Sequence, residues 1–154
     1  MILRPYQPSD APALLALFRD TIRRTNAQDY NRRQIAAWAS DDIDPTAWAD
    51  RFEGRFAIVA EAAGQPLGFA ELEPNGHIDR VYVSADHQQQ GVGRALLAAI
   101  IAEAHRLGLR CLTVEASITA RPFFESQGFT TLTQQAVTCR GVELINYRMQ
   151  RELD

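Results

Sequence analysis

A chain of 154 residues with 46% hydrophobic content can bury about 70% of the surface its unfolded form exposes, so neither disulfides nor a metal is needed to hold a core. Its net charge of -3, with both signs mixed along the chain, excludes the basic footprint of a nucleic-acid binder. No apolar run reaches the length of a membrane span, Met1-Ile2-Leu3-Arg4-Pro5 lacks the features of a secretory signal, and Cys111 and Cys139 lie in no metal-ligand spacing. The expectation is one cytoplasmic domain over residues 1–154, with no metal, no membrane and no nucleic-acid partner, acting on small molecules or peptides.

In chain order, a short strand over Ile2 to Arg4 precedes a helix that Ser9 or Asp10 can cap, with Leu14, Leu17, Phe18 and Ile22 recurring at helical spacing. Asn31 to Ala39 reads as a second helix with Ile35 and Trp38 on one side, and Asp44-Pro45 opens a short helical turn around Trp48. From Phe56 the period changes. Ala57 to Glu61 and Leu67 to Leu72 form a hairpin about Gly64-Gln65-Pro66. After the turn Pro74-Asn75-Gly76, the alternation of His77 to Val83 gives a third antiparallel strand. A long helix from Gly91 to Arg106 carries Leu96, Leu97, Ile100 and Ile101, and Gly108 suits its end. Cys111 to Val114 is a buried strand, and Thr119 to Ser126 a helix stopped at Gly128. Strands from about Phe129 to Cys139 and Val142 to Arg151 turn through Arg140-Gly141. The class is α+β with a mixed sheet.

The stretch from Val81 to Leu97 carries the chemistry. It runs strand, polar turn, helix start, and contains Gln88-x-x-Gly91-x-Gly93. A helix N-terminus leaves four backbone N–H groups unpaired at the positive end of its dipole, which suits a phosphate. Gly91 and Gly93 would let that backbone approach the anion, with Gln88, Gln89, Gln90 and Arg94 at the rim. A dinucleotide fingerprint would want glycine where Leu96 stands, and a Walker loop would want Gly-Lys-[Ser/Thr]. A flexible turn before an amphipathic helix fits the two glycines alone equally well.

Strand, Gln-x-x-Gly-x-Gly and Arg94-Ala95-Leu96-Leu97 together resemble the acetyl-CoA motif of the GNAT superfamily of N-acetyltransferases. Ser117 to Phe129 is similar to that family's second motif, Asn-x-x-Ala-x-x-Phe-Tyr-x-x-x-Gly-Phe, at matching spacing. Tyr30-x-x-x-Gln34-Ile35-x-x-Trp38 resembles a segment of small bacterial members. The resemblance implies a mostly antiparallel central sheet of six to seven strands flanked by about four helices, with two parallel strands splayed apart. Those strands would be Ile78 to Val83 and Arg110 to Glu115. It further implies acetyl-CoA as cosubstrate. Its pantetheine would meet the main chain of Val81 and Val83, next to Tyr82, and its pyrophosphate Gln88, Gln89, Gln90, Gly91, Val92, Gly93 and Arg94. Ser117, Ala120, Phe123 and Phe124 would complete the cofactor site.

The reaction so implied is direct transfer of an acetyl group to a primary amine of a small molecule or peptide, through a tetrahedral intermediate. An ammonium has no lone pair, so a base must take its proton. His77 and Asp79 share one side of their strand by two-residue alternation and rank first, ahead of Glu71 and Glu73 on the strand before. An ordinary histidine pKa of about 6.5 suits the task. Each of the four reads equally as a solvated strand or turn residue. Phe124 stands where the family has a tyrosine that often acts as general acid, and phenylalanine donates no proton. Water, Ser117 or Tyr147 would then serve, or the thiolate leaves unassisted. Ser117, in place of the motif's asparagine, keeps a hydroxyl for the pantetheine or for capping. Asn26, Tyr30 and Trp38 are candidates for the acceptor pocket, with core packing the plainer reading of Trp38 and Trp48. Family members commonly form dimers, and the C-terminal strands are where a homodimer would pair. The loss of the tyrosine leaves a second reading open, an acyl-CoA-binding sensor or regulatory module with little turnover.

Overall fold

The computed structural model describes residues 1–154. Its strands are β1 (Ile2–Pro5), β2 (Phe56–Ala62), β3 (Gln65–Leu72), β4 (His77–Val83), β5 (Cys111–Ser117), β6 (Thr130–Cys139) and β7 (Val142–Glu152). Its α-helices are α1 (Ala11–Arg24), α2 (Arg32–Trp38), α3 (Pro45–Asp50), α4 (Val92–Arg106) and α5 (Arg121–Ser126). The strands form one sheet in the order β1-β2-β3-β4-β5-β7-β6, antiparallel throughout except between β4 and β5. The α+β class and the splayed parallel pair match the sequence expectation. The helices number five, two of them only six residues long.

Local chemistry explains the short helices. Asn31 and Gln34 cap α2 reciprocally, each side chain accepting the other's backbone N–H at 2.8 and 2.9 Å. Asp44 accepts from Thr46 N–H at the start of α3, where Pro45 fills a position that has no hydrogen bond to lose. The helix expected from Thr119 starts at Arg121, because Ser117 Oγ accepts the Ala120 N–H and holds the preceding residues in a turn.

The sheet separates two apolar clusters. On one side α4 and α5 bury Leu96, Leu97, Ile100 and Phe124 against Leu72, Ile78, Leu112, Val114 and Met149. On the other, α1 and α3 bury Leu14, Phe18, Ile22 and Trp48 against Val59 and Phe69. Trp48 belongs to this core, donating its indole N–H to Ala11 C=O at 3.0 Å.

Two irregularities make the site. β4 and β5 pair only at His77 with Thr113 and Ile78 with Val114, and then part. Beside that point β4 bulges. Leu72 faces Ile78 but Glu71 faces Arg80, which leaves Asp79 as an extra residue. The clean alternation expected over His77 to Val83 is therefore broken. Ile78 packs on the α4 side, while Asp79 and Arg80 both reach the α3 side, the first to Arg51 and the second over Trp48. Val81 and Val83 then return to the α4 side.

Candidate active site

The parting of β4 from β5 opens a cleft of about 810 Å³. Asp79 to Val83 line one wall and Val114 to Ser117 the other, and Gln88 to Gly91, Gly93 and Arg94 close one end. Ser84 N–H donates to Leu67 C=O at 2.7 Å, and by alternation Val81 and Val83 turn their main-chain groups away from β3 toward the cleft. The Val83 carbonyl is already met by Gln88 Nε2 at 2.7 Å and Thr21 Oγ1 at 3.1 Å. Gln88 thus braces the loop in addition to standing at the expected phosphate end.

Helix α4 begins without a side-chain cap, so its first N–H groups remain free to meet an anion. The glycines serve this end differently from the expectation. Gly91 sits at φ +86°, and a Cβ there would touch nothing within 4 Å; the backbone angle is what requires glycine. At Gly93 a Cβ would lie 3.3 Å from the Phe123 ring, so this glycine lets α4 pack against α5. Gln89 also adopts a left-handed conformation, at φ +58°. Val92 faces the core beside Leu96 and does not line the cleft.

Ser117 lies at the end of β5. Its Oγ accepts the Ala120 N–H at 3.0 Å and Asn26 Nδ2–H at 3.3 Å, so both lone pairs are used and the hydroxyl proton is left to donate. Asn26 and Trp38 line the cleft. Tyr30 does not. Its hydroxyl donates to Ile145 C=O at 2.7 Å and accepts from Ile118 N–H at 2.9 Å, tying β7 to the end of β5. Phe124 is 3% exposed, edge-on to Phe123 and Phe129, and only its margin reaches the cleft. Tyr147 is held under the Arg121 guanidinium, 4.2 Å from its ring centre, away from the cleft wall.

The four base candidates from the sequence separate clearly. His77 sits where the strands are still paired, its Nδ1 2.9 Å from Thr113 Oγ1, and does not line the cleft. Glu71 is wholly buried and forms a two-point ion pair with Arg80, whose guanidinium lies 4.3 Å from the Trp48 ring centre and 4.9 Å from that of Phe52. Burial pushes the Glu71 carboxyl up, and Arg80 offsets only part of that. Glu73 lies 3.4 Å from Arg55. Asp79 lines the cleft but is 2.9 Å from Arg51 and 2.6 Å from Arg55; burial works to raise its carboxyl, and the arginines outweigh it, holding it below the ordinary range. It is an anion with two partners rather than a ready proton acceptor.

One cleft residue has no place among those four. Glu115 follows the last parallel pair on β5, and since Val114 and Ala116 face α4, its side chain points to the Asp79 side. The residue is exposed, and its side chain forms no ion pair, not even with Arg148 opposite on β7. Sequence reasoning passed over it because an exposed glutamate on a strand looks solvated; the signal was its position directly after the buried strand expected from Cys111 to Val114.

The model of the acetyltransferase (GNAT) domain family matches residues 26–151. The chain belongs to that family. It is 38% identical over 148 residues to the N-acetyltransferase YafP of Escherichia coli K12, covering 96% of this chain and 93% of that one. Among solved structures, a GCN5-related N-acetyltransferase from Rhodopseudomonas palustris is 37% identical with a TM-score of 0.95, over 99% of this chain and 95% of that one. The fold is shared with yncA of Salmonella typhimurium, an acetyltransferase solved with acetyl-CoA, at 24% identity and a TM-score of 0.73, over 100% of this chain and 94% of that one. This GNAT protein is accordingly an acetyl-CoA-dependent acetyltransferase.

Proposed function

We propose that the protein moves the acetyl group of acetyl-CoA directly onto a primary amine of a small molecule or peptide. The observation that carries this reading is the parting of β4 and β5 beyond Ile78 and Val114, beside the uncapped start of α4. Acetyl-CoA would lie along that gap, with its pyrophosphate on the α4 N-terminus near Gly91 and Arg94 and its pantetheine along the main-chain edge of Val81 and Val83, where the Val83 carbonyl is already met by Gln88 and Thr21. Its thioester would then sit where the strands meet, near Asp79 and Glu115. The free side of that point, bordered by Asn26 and Trp38, is where the amine would enter.

The chemistry needs one proton removed before attack and one after. The neutral amine adds to the thioester carbonyl, forming the C–N bond, and the tetrahedral intermediate collapses by breaking C–S. Ser117, with its proton free, is placed to donate toward the departing sulfur and to be reprotonated from the nitrogen. Arg51 and Arg55 both donate to Asp79 Oδ2, which leaves Oδ1 to accept a hydrogen bond from an incoming ammonium.

Phe124 favours a second reading, a domain that binds acyl-CoA without turnover. Calorimetry and rate separate the two. Acetyl-CoA should bind near micromolar, about -8 kcal/mol, and CoA should be released on adding amines from a panel of polyamines, amino acids, aminoglycosides and peptides. The chain contains no lysine, so CoA release without acceptor reports hydrolysis almost free of self-acetylation. Binding without release on any amine would favour the module.

A further inference from the structure

We infer that Glu115 is the residue that takes the proton from the acceptor's ammonium, an assignment that rests on the amine-transfer reading above. Three observations lead to it. Glu115 is the first β5 residue past the closed end of the strand pair, so its side chain stands beside the point where a thioester in the cleft would be attacked. It shares the open face of the sheet with Asp79, Asn26 and Trp38 and opposes the helix that would hold the phosphates. It is also the carboxylate of the cleft wall that no guanidinium binds, whereas Asp79 is held by two.

The charged groups around it are few. Arg148 lies directly opposite on β7 without forming an ion pair, and His77 and Asp79 lie across on β4, with Arg51 and Arg55 behind Asp79. An ammonium entering between Asp79 and Glu115 meets one carboxylate already paired with two arginines and one that is free. Glu115 removes one proton and later passes it to water; the second proton leaves the nitrogen after C–N bond formation and ends on the CoA sulfur. The sum is ammonium plus acetyl-CoA giving amide, CoA thiol and one proton.

The test compares two acceptors in wild type and Glu115→Gln: an alkylamine, protonated at neutral pH, and an aniline or acyl hydrazide, which is already neutral. Glu115→Gln should lower kcat with the alkylamine about 10²–10⁴-fold and with the neutral acceptor less than about tenfold. The alkylamine deficit should shrink as pH rises toward the amine's own pKa. Calorimetric affinity for CoA should be unchanged, which separates this role from damage to the cofactor cleft. Equal losses for both acceptors, or no loss for either, would overturn the assignment. Absence of transfer to any amine by the wild type would instead refute the amine-transfer reading and remove the role with it.

Discussion

Asp79 and Glu115 stand on adjacent strands at the point where β4 and β5 part, facing the same side of the sheet, yet two arginines neutralise only the first. The bulge at Asp79 produces this pairing, because it turns Asp79 and Arg80 to one face and sends each carboxylate or guanidinium to its own partner. The arrangement leaves Glu115 as the uncompensated carboxylate at the mouth of the cleft.

The charge state of Asp79 can be tested directly. Its ordinary value is 3.8, and the folded value lies lower. The contribution of its ion pairs to stability is therefore fully present above about pH 4 and lost as pH falls through the folded value. Arg55→Gln leaves burial less opposed, so NMR titration of the Asp79 carboxyl should show its midpoint rise; an unmoved midpoint would mean that Arg51 alone sets it.

Arg80 tests the buried part of the same network. Its Nη1 has no hydrogen-bond partner, and its charge is met by Glu71 and by the faces of Trp48, Phe52 and Phe69. Arg80→Met leaves the buried Glu71 carboxylate with only Arg55, 3.8 Å away, and should cost about 3–5 kcal/mol in urea unfolding, whereas Arg80→Met with Glu71→Leu should recover most of it. A double variant no more stable than the single one would show that the pair contributes more than charge compensation.

The two glycines of the motif should respond differently. Gly91→Ala forces a Cβ into a left-handed backbone and should cost about 1–2 kcal/mol of stability. Gly93→Val pushes into the Phe123 ring, so its cost of about 1–3 kcal/mol should come with weakened acetyl-CoA binding as α4 and α5 move apart. Calorimetry and thermal melting on both variants check this; equal loss of affinity in the two would point back to simple phosphate crowding.

Ser117→Ala removes the hydroxyl that Asn26 and Ala120 hold in place. Loss of the turn hydrogen bond to Ala120 should cost about 1 kcal/mol, and kcat should fall about 10²-fold or more with a smaller change in acetyl-CoA affinity. A kcat unchanged with a saturating amine would mean that the thiolate leaves unaided.

Much of this was legible in the sequence because it depends on short-range pattern. Hydrophobic period located the strands and helices, and the helix start at Gly91 with the Ser117 to Phe129 segment pointed to the family. What the sequence could not show about the base candidates was the bulge and the ion pairs, which need knowledge of what lies across the strand. Arg51 and Arg55, distant in sequence from Asp79, neutralise it, and Arg80 removes Glu71 from solvent. The sequence likewise could not show that the Tyr30 hydroxyl bonds two backbone groups contributed from more than 80 residues away. Glu115 acquires meaning only from where β5 stops pairing with β4.

The most direct measurement of the central claim is product analysis after incubation with acetyl-CoA and an alkylamine acceptor found by CoA release. The account predicts acetylated amine in the same amount as CoA released, abolished when the amine is fully methylated. CoA released together with an equal amount of free acetate, with the amine unchanged, would contradict it.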